Sequence, residues 1–175
     1  MKFISQMKMG NRYEKFKDVI PLLGVGPKIL ISISPFIILF GILDSIFSTF
    51  FEIPINYFWL VLIGTILISG GIFIFIYSEK IINPAYKASK LITTKIYAHV
   101  RHPMYAIWGL AILPGIICFF NSWLLFFILP FYYLVVRLFI RKEEKYLLKK
   151  YGEIYAYYKK NVNAFFPKFK KYKPE

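Results

Sequence analysis

Residues 95–105 read Lys95-Ile96-Tyr97-Ala98-His99-Val100-Arg101-His102-Pro103-Met104-Tyr105, a basic, aromatic stretch that holds both histidines of the chain. Its setting decides the fold, because hydrophobic runs lie on either side of it. Upstream, Ile29 to Phe51 and Tyr57 to Tyr77 each supply about 20 apolar residues, the length that ~30 Å of hydrocarbon requires. Downstream, Met104 to Phe120 and Trp123 to Ile140 flank the tight turn Asn121-Ser122 and read as a helical hairpin. Pro35, Pro114 and Pro130 are the expected kink points. The sequence therefore predicts an all-α integral membrane protein of about four spans, the last two a hairpin, with a cytoplasmic C-terminal helix. Its single domain divides into a basic amphipathic segment (1–28), two spans (29–77) and a catalytic half (78–175). That half opens with a long polar connection over 78–103, broken at Asn83-Pro84. Thr65, Ser69, Gly70 and Gly71 offer a small-residue face for helix packing.

Composition points the same way. Of 175 residues, 58% are hydrophobic and 21% aromatic, and mean hydropathy is +0.54. A soluble core wrapped in polar surface is excluded at such values. The net charge of +14 would suit a nucleic-acid binder, but its placement argues for topology instead. Six cations lie in residues 1–28, five in 78–104 and twelve in 137–175, which accounts for all 23. Four spans with both termini and the polar clusters on the cytoplasmic side put every one of them on one face. The partners expected are thus the membrane and a lipid or prenylated substrate from the bilayer, with no nucleic acid and no obligatory protein partner. One cysteine, Cys118, and two histidines give no disulfide framework and no expected metal site.

A second polar cluster follows the last apolar run. Arg137, Arg141, Glu144, Leu148, Tyr151 and Tyr155 recur at helical spacing and share a face, with Glu143 on the adjoining stripe. Taken alone, the first cluster reads better as an interfacial anchor and the second as ordinary ion pairing. The topology changes the balance, since both clusters then lie at one membrane depth. Pro103 suits the first turn of the helix that follows it, and helix-start N–H groups beside Arg101 and His102 favour an anion.

Several residues carry a family resemblance. Leu91-Ile92-Thr93-Thr94, Tyr97, Val100-Arg101-His102-Pro103-Met104-Tyr105, Glu143-Glu144-Lys145-Tyr146-Leu147, Tyr151-Gly152, Tyr155, Tyr158 and Pro167 resemble the C-terminal signature of the isoprenylcysteine carboxyl methyltransferases, shared by related phospholipid methyltransferases. The likeness covers about residues 89–167. It implies a membrane-embedded fold that binds S-adenosylmethionine without a Rossmann domain. Carried over by position, Ser89, Lys90, Leu91, Ile92, Tyr97, Arg101, His102, Pro103, Met104 and Tyr105 would line the cofactor. Glu143 and Glu144 would close the pocket on its ribose or ammonium, and Arg101 and His102 would take its carboxylate. Arg137 or Arg141 would orient an anionic substrate head, so these two arginines and the Glu pair are the catalytic candidates. The chain departs from the family pattern at Lys95 and Ile107, where glycine is usual. It departs again at Phe139, where the carboxyl-methylating relatives carry arginine.

Methyl transfer from a sulfonium is an in-line displacement that needs alignment and exclusion of water. A carboxylate acceptor is already nucleophilic and needs only a cation to place it, so O-methylation of an isoprenylcysteine-like acid leads. N-methylation of an aminophospholipid would need Glu143 or Glu144 as base. A non-catalytic basic anchor and a nicotinamide-dependent reductase are the readings from other classes.

Overall fold

The computed structural model describes residues 26–173, so most of the expected amphipathic segment 1–28 lies outside the described residues. Helix α1 (Gly26–Ile46) is apolar on all sides and contains Pro35. It ends before the expected Phe51. The chain breaks at Phe47 and re-enters a single turn, α2 (Ser48–Phe51). Helix α3 (Tyr57–Lys87) runs a further ten residues past Tyr77 and takes in Pro84. Asn83-Pro84 therefore does not break the helix. Pro84 costs the helix its bond to the Lys80 carbonyl, but the helix runs three residues further and the Ala88 N–H still donates to the Pro84 carbonyl at 3.0 Å.

The polar linker then carries one 3₁₀ turn at Lys95–Ala98 before α4 (Pro103–Ile107), which has Pro103 in its first turn as expected. From α4 the chain passes through a π turn, Trp108–Ile112, into α5 (Leu113–Phe119). The Leu113 N–H reaches back five residues to the Trp108 carbonyl. The residue after it, Pro114, has no N–H and its ring crowds the preceding turn, and the wider π turn relieves both conflicts. After Asn121, whose φ is 51°, a 3₁₀ turn leads into α6 (Ile128–Tyr151). Pro130 falls in the first turn of α6, where it does not kink the helix. The last crossing and the expected C-terminal helix are thus one uninterrupted rod up to Gly152. There φ is 56°, and the chain turns into α7 (Glu153–Asn161).

Among the described residues, three helices are long and apolar enough to cross a membrane: Gly26–Ile46, Tyr57–Ala85 and Leu124–Tyr151. The fourth expected span, Pro103–Phe119, is a shorter apolar helix. No strand occurs among the described residues, so the fold is all-α.

α3 lies along the α4–α5 rod, and α1 lies along α6. The first contact is made by glycines, though not the expected set. A Cβ on Gly115 would stand 2.8 Å from Ile68 Cγ1 and 3.0 Å from the Gly64 carbonyl oxygen. One on Gly71 would meet Ile112 Cγ1 at 2.8 Å. Gly64, Gly71 and Gly115 therefore form the close-approach seam. Gly70 has open space around it, and Thr65 and Ser69 are exposed, their hydroxyls bonded to carbonyls of their own helix. Ile107 stands over Gly71, its Cγ2 3.6 Å from where a Cβ would be. The extra side chain at 107 thus fills the space that Gly71 leaves. Gly115→Leu should cost about 1–3 kcal/mol, because one of its obstacles is backbone. Thermal unfolding in detergent measures this, and an unchanged midpoint would show the seam to be loose.

One core cluster ties the site together. Ile29 and Ile33 of α1, Val100, Ala106, then Tyr132, Val136 and Ile140 of α6, and Phe165 from the chain after α7 pack as a unit.

Candidate active site

Burial of the α6 stripe Tyr132, Val136, Ile140 and Glu144 against the linker brings a carboxylate into the protein at the polar end of the rod. Glu144 is 8% exposed, and cationic side chains surround it. Arg101 donates to Glu144 Oε1 through Nε at 3.0 Å and through Nη2 at 2.5 Å. Lys159 Nζ of α7 lies 2.9 Å from Oε2, and His102 Nε2 lies 3.5 Å from Oε1. A buried carboxylate is tolerated when its lone pairs are met by donors of this kind.

Glu143, one residue earlier and about 100° around the helix, faces a different set of groups. The Tyr105 hydroxyl donates to its Oε2 at 3.4 Å, and His102 Nδ1 is 3.8 Å from its Oε1. At 24% exposed, with only long contacts, it keeps acceptor capacity. The pair thus divides its work: His102 stands between the two carboxylates, and only Glu144 is saturated.

The other predicted residues fall at differing distances from this centre. Pro103 is buried, Met104 and Tyr105 half-buried, and the Tyr105 carbonyl accepts from Tyr132 of α6 at 2.8 Å. Tyr97 is 5% exposed; its hydroxyl points to the Ser78 carbonyl at 3.5 Å, and its own carbonyl accepts from Tyr158. A ring so enclosed has no open face for stacking on a planar ligand. Ser89 and Lys90 are exposed and Ile92 half-buried. Tyr151 holds the Ser89 carbonyl at 3.1 Å, and Leu91 packs on Tyr155, Tyr158 and Val162. Residues 89–91 therefore meet the end of α6 and α7, while 101–105 meet Glu143 and Glu144. Tyr155 reaches the site across the Gly152 turn rather than along one continuous helix face.

Arg101 is the clearest correction. All three of its nitrogens are taken, Nη1 donating to the Val162 carbonyl and, at 2.7 Å, to that of Lys159. The expected contact with a cofactor carboxylate is left with almost no free donor. Lys95 holds φ at 55°. It thus adopts, at a cost, the left-handed turn that a glycine would supply freely. Lys95→Gly should raise stability by about 1 kcal/mol, read as a higher unfolding midpoint.

Beyond Asn161 the chain leaves the helix and packs against the linker, as part of the site. Val100 and Asn163 form a parallel bridge. The Arg101 N–H donates to the Asn163 carbonyl at 2.8 Å, and the Lys168 N–H to that of His99 at 2.9 Å. Phe165 lies over Gly109, where a Cβ would come within 2.6 Å of its ring. A groove of about 480 Å³ opens beside this segment. Tyr133, Val136, Ile140, Phe165 and Phe166 give it an apolar floor, and Arg137, Arg141 and Lys159 line it with positive charge. Neither Arg137 nor Arg141 has an ion-pair partner among the described residues. Phe139 is half-buried against the core cluster and does not line the groove. Lys159, Phe165 and the Val162 carbonyl carried no signal in the sequence. Tyr155 did, through its spacing.

Tyr155 adds one more feature. It is 1% exposed, and its hydroxyl has no hydrogen-bond partner among the described residues. Burial pushes its pKa up, and the negative charge of Glu144 adds to the shift, so it remains a donor.

No curated protein and no solved structure matches the chain. The family described as isoprenylcysteine carboxyl methyltransferases matches residues 57–149, more than half of it. That match starts with α3, takes in the whole linker and α4–α5, and ends on α6 just past the Glu pair. With apolar helices long enough for a bilayer and this span in common, the chain belongs to the isoprenylcysteine carboxyl methyltransferase family of membrane methyltransferases.

Proposed function

We propose that the protein transfers a methyl group from S-adenosylmethionine to the carboxylate of an isoprenylcysteine-like, lipid-linked acid, on the cytoplasmic side of the membrane. The observation that carries this reading is a basic, aromatic-floored groove beside a half-open carboxylate at the end of one long helix. Residues 78–175 would do the chemistry, and the spans before them would anchor it.

The donor's chemistry fits the residues present. It offers an ammonium and a ribose diol, for which Glu143 has spare lone pairs. Its heteroatoms could also meet the buried Tyr155 hydroxyl, which lacks an acceptor. His102, Met104, Tyr105 and Leu91 would complete its walls. When bound, the donor supplies an already activated methyl on a sulfonium.

The chain's own residues then align and exclude water. Phe165 and Phe166 shield the groove from solvent, and Val136 and Ile140 give its apolar surface. Arg137 and Arg141 hold the acceptor carboxylate by charge-assisted bonds. They would repel the ammonium of an aminophospholipid, which favours the ester-forming reading over N-methylation. The positive-inside rule supports the cytoplasmic placement.

The test is labelled donor with purified protein and either N-acetyl-S-farnesylcysteine or membrane lipid. Base-labile label on the acid is the expected result. Stable label on an amine would overturn the acceptor assignment. Arg137→Gln with Arg141→Gln should raise KM for the acid by about 10- to 100-fold, the loss of one or two charged contacts. Unchanged acceptor kinetics would remove both arginines from the site.

A further inference from the structure

The side chain of Arg101 joins three parts of the chain at once. Nε and Nη2 grip Glu144 on α6, while Nη1 caps α7 through the carbonyls of Lys159 and Val162. Carbonyls at the end of a helix lack partners within it, and a cation is well suited to meet them. The backbone of the same linker continues the attachment, with the His102 N–H donating to the Ala164 carbonyl at 3.1 Å. With its side chain 8% exposed, Arg101 is an internal cross-brace and not a surface group.

What the brace holds is one wall of the groove. Lys159, Asn163, Ala164, Phe165 and Phe166 all line it, and all lie beyond residue 149, where the family match ends. The opposite wall, from α6, lies inside the match. The wall that Arg101 fastens is therefore the one built by the returning chain, facing the wall from α6.

We propose that Arg101 is a positioning residue that docks residues 159–166 onto the linker and α6, and that this docked segment selects the acceptor. The proposal rests on the reading above only in taking the groove as the acceptor site.

Arg101→Gln in the full-length protein tests it through three readouts. These are limited proteolysis within 159–173, S-adenosylmethionine affinity by calorimetry, and steady-state kinetics with N-acetyl-S-farnesylcysteine. Faster cleavage and an acceptor KM raised about tenfold are expected, with donor affinity changed less than about twofold. Phe165→Ala loosens the same segment from the Gly109 side while leaving Arg101 intact, and should reproduce the rise in KM. Should the glutamine variant not survive purification, Arg101→Lys keeps the charge without the fork and is read the same way.

Weakened donor binding with 159–173 still protected would make Arg101 a donor ligand and overturn the proposal. An unchanged KM in Phe165→Ala would overturn the selecting role of the wall. Wild-type protein that neither binds donor nor methylates would sink the proposed function instead, while the proteolysis comparison would still decide the docking.

Discussion

Glu144→Ala should lower the unfolding midpoint by roughly 10 °C and abolish methyl transfer, the largest single effect expected in this protein. The reason lies in what the carboxylate leaves behind. Arg101 and His102 are buried beside it, and Lys159 closes the far side at 2.9 Å. Removing one partner of a buried ion pair strands the other charge, at a cost of about 3–5 kcal/mol. That is a large fraction of the stability a domain of this size has. Arg101 would also lose the anchor that lets it cap α7, so residues 159–166 should loosen together with the core. Glu144→Gln keeps the shape and one acceptor oxygen, and should fall between alanine and wild type. Thermal unfolding of the three proteins in one detergent orders them. A glutamine variant as stable as wild type would mean that the charge contributes nothing, and an alanine variant as stable as wild type would refute the brace itself.

The main architecture was legible in the sequence because its signals are periodic or compositional. Apolar run length located the crossings, and the one-sided cations argued for putting residues 95–105 and the Glu pair at one depth. In the structure His102 does lie between Glu143 and Glu144. Helix ends were less legible. Hydropathy marks where a helix leaves the apolar layer and not where it stops, so α3 ran past Tyr77 to Lys87 and α6 past Ile140 to Tyr151. Pro130 misled because a first-turn proline interrupts little of the ladder, and Pro84 because α3 absorbs one lost bond close to its end.

The return of the chain after Asn161 left no trace at all. Its attachment is backbone pairing between 98–102 and 163–172, which has no side-chain period to read. The seat of Phe165 depends on Gly109, and no pattern in either stretch announces the pairing. Missing that return also misassigned Arg101. Without residues 159–162 in view, a basic residue beside a helix start looks like an anion ligand. With them, its donors are spent on carbonyls and on Glu144.

Glu143→Gln is the complementary experiment, and it should separate binding from folding. Glu143 is tied to the protein only by long contacts, 3.4 Å to the Tyr105 hydroxyl and 3.8 Å to His102. An amide of the same shape preserves those, so the unfolding midpoint should move by no more than about a degree or two. Donor affinity should fall by about 10- to 100-fold, because a charge-assisted bond to the ammonium or ribose contributes roughly 1.5–3 kcal/mol. Calorimetric titration with S-adenosylmethionine measures the loss directly. Two neighbouring glutamates would then show opposite behaviour, one failing in stability and the other in binding. The asymmetry follows from geometry alone: α6 turns about 100° between them, pointing Glu144 into a cage of cations and Glu143 toward the half-open side. Equal donor affinity in Glu143→Gln and wild type would place the donor elsewhere, leaving Tyr105 and His102 as packing groups around an idle carboxylate.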